Sequence, residues 1–523
     1  MKLPVLNKNY LYIIGSSVIL YLVMIGIFHF ESKWATWCLI GLLALFLAPI
    51  ASRIFGNIEN FLFCSLVFSL QLQVGFNPIY RQMNKMAGLN GINISLCLII
   101  ALLLFSTWFI KRCVQVTRPL ATNTIWNVAW ASFLLTSAIS IVKTSDMHLT
   151  IFGIFEIISL ILIATITCHY CSTRKGLHTA RTVLLVGLLT QSLVIIVQNI
   201  TGLEFTLAGQ SVVRQGSRFS GTMIVPSAAA TYIMVLLFFT IGTAFSTVSR
   251  QKKAFLWFIT SLGILSLLLT LTRSAWIGFF IGIIILLAYY YMKKAIRLSS
   301  IIACIAIVLI LGVILAWPVL EKRLYEEDHY EDSIVRLNLI LIAFDMIEKN
   351  PLLGVGLNNA TQVVNKYAAE TPLIRNADGF VWVFIVHNQF LLIASETGIP
   401  GLIAFLSVIG IALRAALLGM CGRDPVLSET GAILLASIVA LIWSLNMDHV
   451  SGAQTYILLW FIMSFAMGVR NIVRAEIAAN GSTPYGWHAF HPLYEAQNGA
   501  TQRGSTGLVD AYADATRRFG APR

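Results

Sequence analysis

Residues 150–170 read TIFGIFEIISLILIATITCHY, an apolar block in which Glu156 is the one acidic side chain. About 20 helical residues cross the roughly 30 Å hydrocarbon layer of a bilayer, so this block has the length of one membrane span. Working outward, similar blocks occur at about 11–30, 35–52, 60–76, 92–110 and 125–142 on one side. On the other side they occur at about 182–200, 224–245, 254–271, 275–292, 299–317, 387–413, 429–446 and 453–469. Two are weaker: 60–76 is short and carries Gln71 and Gln73, and 125–142 is rich in Ser and Thr. The expectation is an all-α polytopic membrane protein with about 12–14 transmembrane helices. A chain of 523 residues that is 58% hydrophobic and 11% charged has too little charge to cover a soluble surface.

The net charge of +13 does not point to nucleic acid, because the Lys and Arg residues form short clusters between apolar blocks and no continuous basic stripe. Threading the spans from a cytoplasmic N-terminus places roughly nineteen basic residues in short inner segments against about seven in short outer ones. Both termini are therefore expected in the cytoplasm. The first block follows Lys2 and Lys8 without a small-residue cleavage site and reads as an uncleaved helix. The eight cysteines have no metal-ligand spacing, and Cys168 and Cys171 read as small apolar residues at a helix end.

The same threading leaves one long outer loop, about 318–386, with an acidic first half at Glu326, Glu327, Asp328, Glu331 and Asp332. After Arg336 comes an apolar run, 337–347, expected to form a helix on the membrane surface that Asn350-Pro351 stops. The transmembrane domain is expected over 1–474. Residues 475–523 have no apolar period and read as a disordered cytoplasmic tail.

Several residues at the outer boundary are candidates for chemistry. His387 opens the span at 387–413, where an imidazole can take a proton from a hydroxyl; it can equally cap the helix together with Asn388. Arg214 and Arg218 lie on a Gly and Ser background, 214–222, that can wrap an anion or remain a solvated loop. Arg273 sits in the short turn 271–275, where it either snorkels to headgroups or binds an anion. Arg336 competes between an anion and the acidic cluster before it. That cluster offers oxygen ligands for a divalent metal but reads first as a solvated face.

Taken in order, these motifs resemble the bacterial O-antigen ligases and the related O-antigen and exopolysaccharide polymerases. They are Arg218-Phe219-Ser220-Gly221-Thr222, Thr272-Arg273-Ser274, and Arg336 with Pro351-Leu352-Leu353-Gly354-Val355-Gly356. The last are His387-Asn388-Gln389-Phe390-Leu391 and Glu396-Thr397-Gly398-Ile399-Pro400-Gly401. The resemblance covers about 215–405. It departs at Val225-Pro226-Ser227, where members often carry Asn-Pro-Asn.

The resemblance implies a C-type membrane glycosyltransferase of the bacterial inner membrane, with its site facing the periplasm. It would take a glycan from undecaprenyl diphosphate and pass it to a lipid A core or another glycan hydroxyl. Arg218 and Arg336 would hold the diphosphate with help from Arg273, and His387 would act as base. Asn388, Glu396 and Arg214 would support them, with no metal and no other cofactor. The outer loop at Glu31 lacks the Asp-x-Asp of metal-using relatives. The His387 and Glu396 motif pair favours the ligase, with the polymerase as the alternative that shares donor and site. A flippase for lipid-linked oligosaccharide is the rival of another class, but it would place polar groups at mid-membrane, where Glu156 is the chief ionisable residue.

Overall fold

The computed structural model describes residues 58–81, 88–114, 119–121, 123–202, 204–207, 210–212, 218–294, 328–367, 385–447 and 453–480. Thirteen α-helices of these segments are α1 (Ile58–Ser69), α2 (Leu96–Val114), α3 (Thr124–Ile139), α4 (Met147–Cys171), α5 (Arg174–Thr201), α6 (Pro226–Ser246) and α7 (Arg250–Leu269). They continue with α8 (Arg273–Met292), α9 (Asp328–Lys349), α10 (Ala360–Tyr367), α11 (Gln389–Met420), α12 (Pro425–Met447) and α13 (Ala453–Asn480). Two small antiparallel ribbons, Gly75–Phe76 with Ile94–Ser95 and Phe205–Leu207 with Gln210–Val212, are the paired strands among the described residues.

Ten of these helices are long and apolar enough to cross a membrane. They correspond to ten of the fourteen expected blocks, including the Ser- and Thr-rich one at 125–142. The blocks at 11–30, 35–52 and 299–317 lie outside the described residues. The block at 60–76 is a correction: its helix stops at Ser69 after twelve residues. Beyond Ser69 the chain is engaged by another loop, through the Gln71 backbone and the Gln73 side chain. The Gln71 carbonyl accepts from the Thr222 hydroxyl at 2.7 Å, and Gln73 Oε1 accepts from the Ile224 N–H at 3.0 Å. The chain leaves the helix to bind the loop that follows Arg218.

Helices α6 and α13 are enclosed almost completely, and α6 is buried without a break from Ala229 to Ile241. A helix apolar on all sides is expected at the centre of such a bundle. Lipid tails supply no hydrophobic force between helices, so close packing has to hold them together. Phe238 stacks on Phe279 at 5.7 Å and Phe239 on Phe465 at 5.9 Å, joining α6 to α8 and α13. Trp460 of α13 meets Trp130 of α3 at 4.1 Å and Phe405 of α11 at 5.9 Å.

Near one end of the bundle Arg181 Nη2 donates to Glu429 Oε1 at 2.8 Å, with Thr430 and Thr243 taking its other hydrogens at 3.0 Å. At the same end Arg174 pairs with Asp424 and Glu476. Partial burial pushes the Asp424 carboxyl up, but hydrogen bonds from the Leu427 N–H and Arg174 outweigh it and hold the group below its ordinary value. Cys168 and Cys171 are free, buried thiols in the last turn of α4. The last helix runs to Asn480, and the residues beyond it lie outside those described.

Candidate functional site

The other end of the bundle gathers the start of α6, the turn between α7 and α8, the start of α11 and the end of α12. Two glutamines of α5 fix the loop leading into α6. Gln191 takes the Thr222 N–H and hydroxyl on Oε1 and donates Nε2 to the Ser220 carbonyl at 3.0 Å. Gln198 Oε1 accepts from the Gly221 N–H at 2.9 Å. This pins Arg218, whose Nε donates to the Thr270 carbonyl at 3.1 Å and whose Nη2 donates to the Thr272 hydroxyl at 3.0 Å. Arg218 is thus fastened to the turn that immediately precedes Arg273.

Arg273 is the first residue of α8 and is exposed. Neither α6 nor α8 has a side-chain cap on its first turn. Helix N-termini of this kind present backbone N–H groups and the positive end of the helix dipole, which favours an anion. Two guanidinium groups beside them add charge and hydrogen-bonding capacity of the kind that diphosphate oxygens accept.

Helix α12 links this turn to His387. Trp443 Nε1 donates to the Ser274 carbonyl at 3.1 Å, and one turn further Asn388 Nδ2 donates to the Asn446 carbonyl at 3.4 Å. Asn388 is also the N-cap of α11, its Oδ1 accepting from the Phe390 and Leu391 N–H groups at 3.0 and 3.1 Å. His387 stands half-buried immediately before that cap.

Arg336 is placed differently from the expectation. It does not precede the surface helix but lies inside it, because α9 already begins at Asp328. Its side chain is exposed. At helical spacing it continues the stripe of Leu339 and Ala343, which packs on Val386 and Leu391 on either side of the His387 turn. The opposite face of α9 shows Leu337, Leu341 and Phe344, all about half exposed, to the surroundings. Arg214, the tryptophan at 317 and the acidic residues 326 and 327 lie outside the described residues.

The Pro351–Gly356 and Glu396–Gly401 motifs are one structural unit. Val355 N–H donates to the Ser395 carbonyl at 2.8 Å, Gly356 N–H to Glu396 at 3.0 Å, and Ile399 N–H to Pro351 at 2.8 Å. Gly398, with φ 73° and ψ 178°, breaks the helical path of α11. That break frees the backbone groups that the 351–356 turn engages. Glu396 is buried and its Oε1 accepts from the Ala360 N–H at 3.3 Å, so it caps α10. Its position is that of a support for the loop.

Sequence reasoning missed Thr270, Trp443, Asn446 and the two glutamines of α5. Polar residues facing inward from an apolar helix were the available signal for Gln191 and Gln198. Nothing in the sequence marked Trp443. Among the described residues no group of three or more His, Cys, Asp or Glu is arranged to hold a metal ion.

Comparison with curated proteins gives no significant match. Residues 258–406 match the sequence model of the family described as O-antigen ligase. The matched stretch runs from α7 past the break in α11 and contains Arg273, Arg336, His387 and Glu396, while Arg218 precedes it. This all-α polytopic membrane protein therefore carries, over residues 258–406, a region that is similar to the O-antigen ligase family.

Proposed function

We propose that this protein moves a glycan from an undecaprenyl-diphosphate carrier to an acceptor hydroxyl at the periplasmic face of the bacterial inner membrane, as an O-antigen ligase. The observation that carries this reading is the anchorage of Arg218 on the turn before Arg273, at the end of the bundle that also holds His387. The diphosphate lies against the start of α8 between these guanidinium groups, and Arg336 reaches it from α9. His387 takes the proton of the acceptor hydroxyl as its oxygen attacks the anomeric carbon. The bond from that carbon to the diphosphate breaks, and the arginines neutralise the charge that the carrier keeps.

The periplasmic assignment is supported by the opposite end of the bundle. There Lys111, Arg112, Lys175, Lys252, Lys253 and Lys293 cluster, as the positive-inside rule expects of a cytoplasmic face. Deleting the gene tests the acceptor. Long lipid-linked chains that never reach their terminal acceptor are the expected result, whereas single unpolymerised repeats would assign the protein as a polymerase.

A further inference from the structure

A cavity of about 70 Å³ lies beneath the His387 turn, walled by residues of α3, α4, α11 and α13. Ile385 and Gln389 form its wall next to that turn, and Glu396 stands two helical turns further along α11. Glu156 of α4 reaches into the same space. Much of the remaining lining is apolar, including Phe133, Ile157 and Leu392.

The two carboxyl groups are unequal. Glu396 accepts hydrogen bonds from the backbone N–H groups of Asn358 and Ala360. Glu156 is 8% exposed and lines the cavity from α4. Tyr456 of α13 is the other titratable group on the wall; its hydroxyl engages Gln389 and feels the charge of both carboxyls. No Lys, Arg or His among the described residues lines the space.

Two ionised carboxylates here would repel each other at membrane depth without a counter-charge, which lipid surroundings penalise heavily. One proton on the pair would remove the conflict, with water in the cavity carrying the hydrogen bond from one carboxyl toward the other. At about 30 Å³ for each water, the cavity has room for roughly two bridging molecules. We propose that Glu156 and Glu396 hold a single proton between them, and that the neutralised pair keeps Tyr456 and Gln389, and through Gln389 the His387–Asn388 turn, in the arrangement that transfer requires. The second half of this proposal rests on the transferase reading above. Glu156 is a positioning residue in it.

The test uses the full-length protein in lipid nanodiscs. At neutral pH the infrared spectrum should contain the C=O stretch of a protonated carboxyl that disappears in Glu156→Gln; an unchanged band would overturn the shared proton. Glycan transfer is then followed against pH. Wild-type transfer should fall on the alkaline side as the pair ionises, whereas Glu156→Gln, which donates but cannot ionise, should not show that fall. At neutral pH Glu156→Gln should exceed Glu156→Ala by about tenfold, the worth of a buried hydrogen bond. Identical pH profiles of wild type and Glu156→Gln, or a stoichiometric metal ion lost on that substitution, would overturn the proposal. The infrared measurement does not depend on transfer, so a failure of the transferase reading would leave it standing.

Discussion

Arg218 Nη2 donates to the Thr272 hydroxyl at 3.0 Å, so the motif entering α6 and the motif opening α8 form one surface with Arg273 beside it. Replacing Arg218 with Ala should lower transfer by about ten- to a hundredfold, the worth of charge-assisted hydrogen bonds. Lys should rescue poorly, because a point charge cannot hold Thr270 and Thr272 while also gripping a diphosphate. Thr272→Val should weaken donor use in the same direction by up to about tenfold. Transfer kinetics with a lipid-linked donor check all three, and full rescue by Lys would count against direct diphosphate binding.

Gly354 and Gly398 lie on opposite sides of the docked turn, each against the main chain of the other's segment. A Cβ on Gly354 would lie 2.3 Å from the Glu396 carbonyl carbon, and one on Gly398 would lie 2.5 Å from the Leu352 carbonyl. Both residues also have positive φ, 64° and 73°. Ala at either position meets main chain that has no freedom to move aside, and the left-handed backbone alone costs of order 1–3 kcal/mol. Each substitution should lower the thermal stability of the purified protein and the amount that accumulates in the membrane, measured by unfolding in detergent. Unaltered stability would show that the turn docks differently.

The ten spans were legible because lipid imposes length and hydropathy directly on the sequence. The 60–76 block misled because hydropathy does not register that the Gln71 carbonyl and the Gln73 side chain bind a loop 151 residues away in the chain. His387, Arg218 and Arg273 were visible as ionisable groups at a boundary, where charge is costly. The network joining them was not, because Trp443 and Asn446 lie at the end of an ordinary apolar helix and act through backbone carbonyls of other segments. Arg336 was visible, but the start of α9 was not, since the acidic residues before it carry no apolar period.

The Arg181–Glu429 pair lies far along the bundle from His387 and should govern stability rather than chemistry. Glu429→Ala leaves a buried guanidinium without its partner, which costs about 3–5 kcal/mol. Replacing both residues with apolar side chains of similar volume should recover much of that loss. Unfolding in detergent reads both effects, and transfer per folded molecule should stay near the wild-type level. A selective loss of transfer with stability intact would place this pair in the reaction.

With guanidinium groups supplying the positive charge, transfer should survive thorough chelation. A loss restored by added magnesium would move the diphosphate contact to a metal and revive the acidic residues before α9 as its ligands.

The most direct measurement is glycan transfer by His387→Ala protein that inserts and accumulates as the wild type does. The imidazole stands beside the Asn388 cap, at the same end of the bundle as Arg218 and Arg273. Transfer from the lipid-diphosphate donor should be abolished while donor binding persists. Transfer at the wild-type rate would contradict the role of His387 as base.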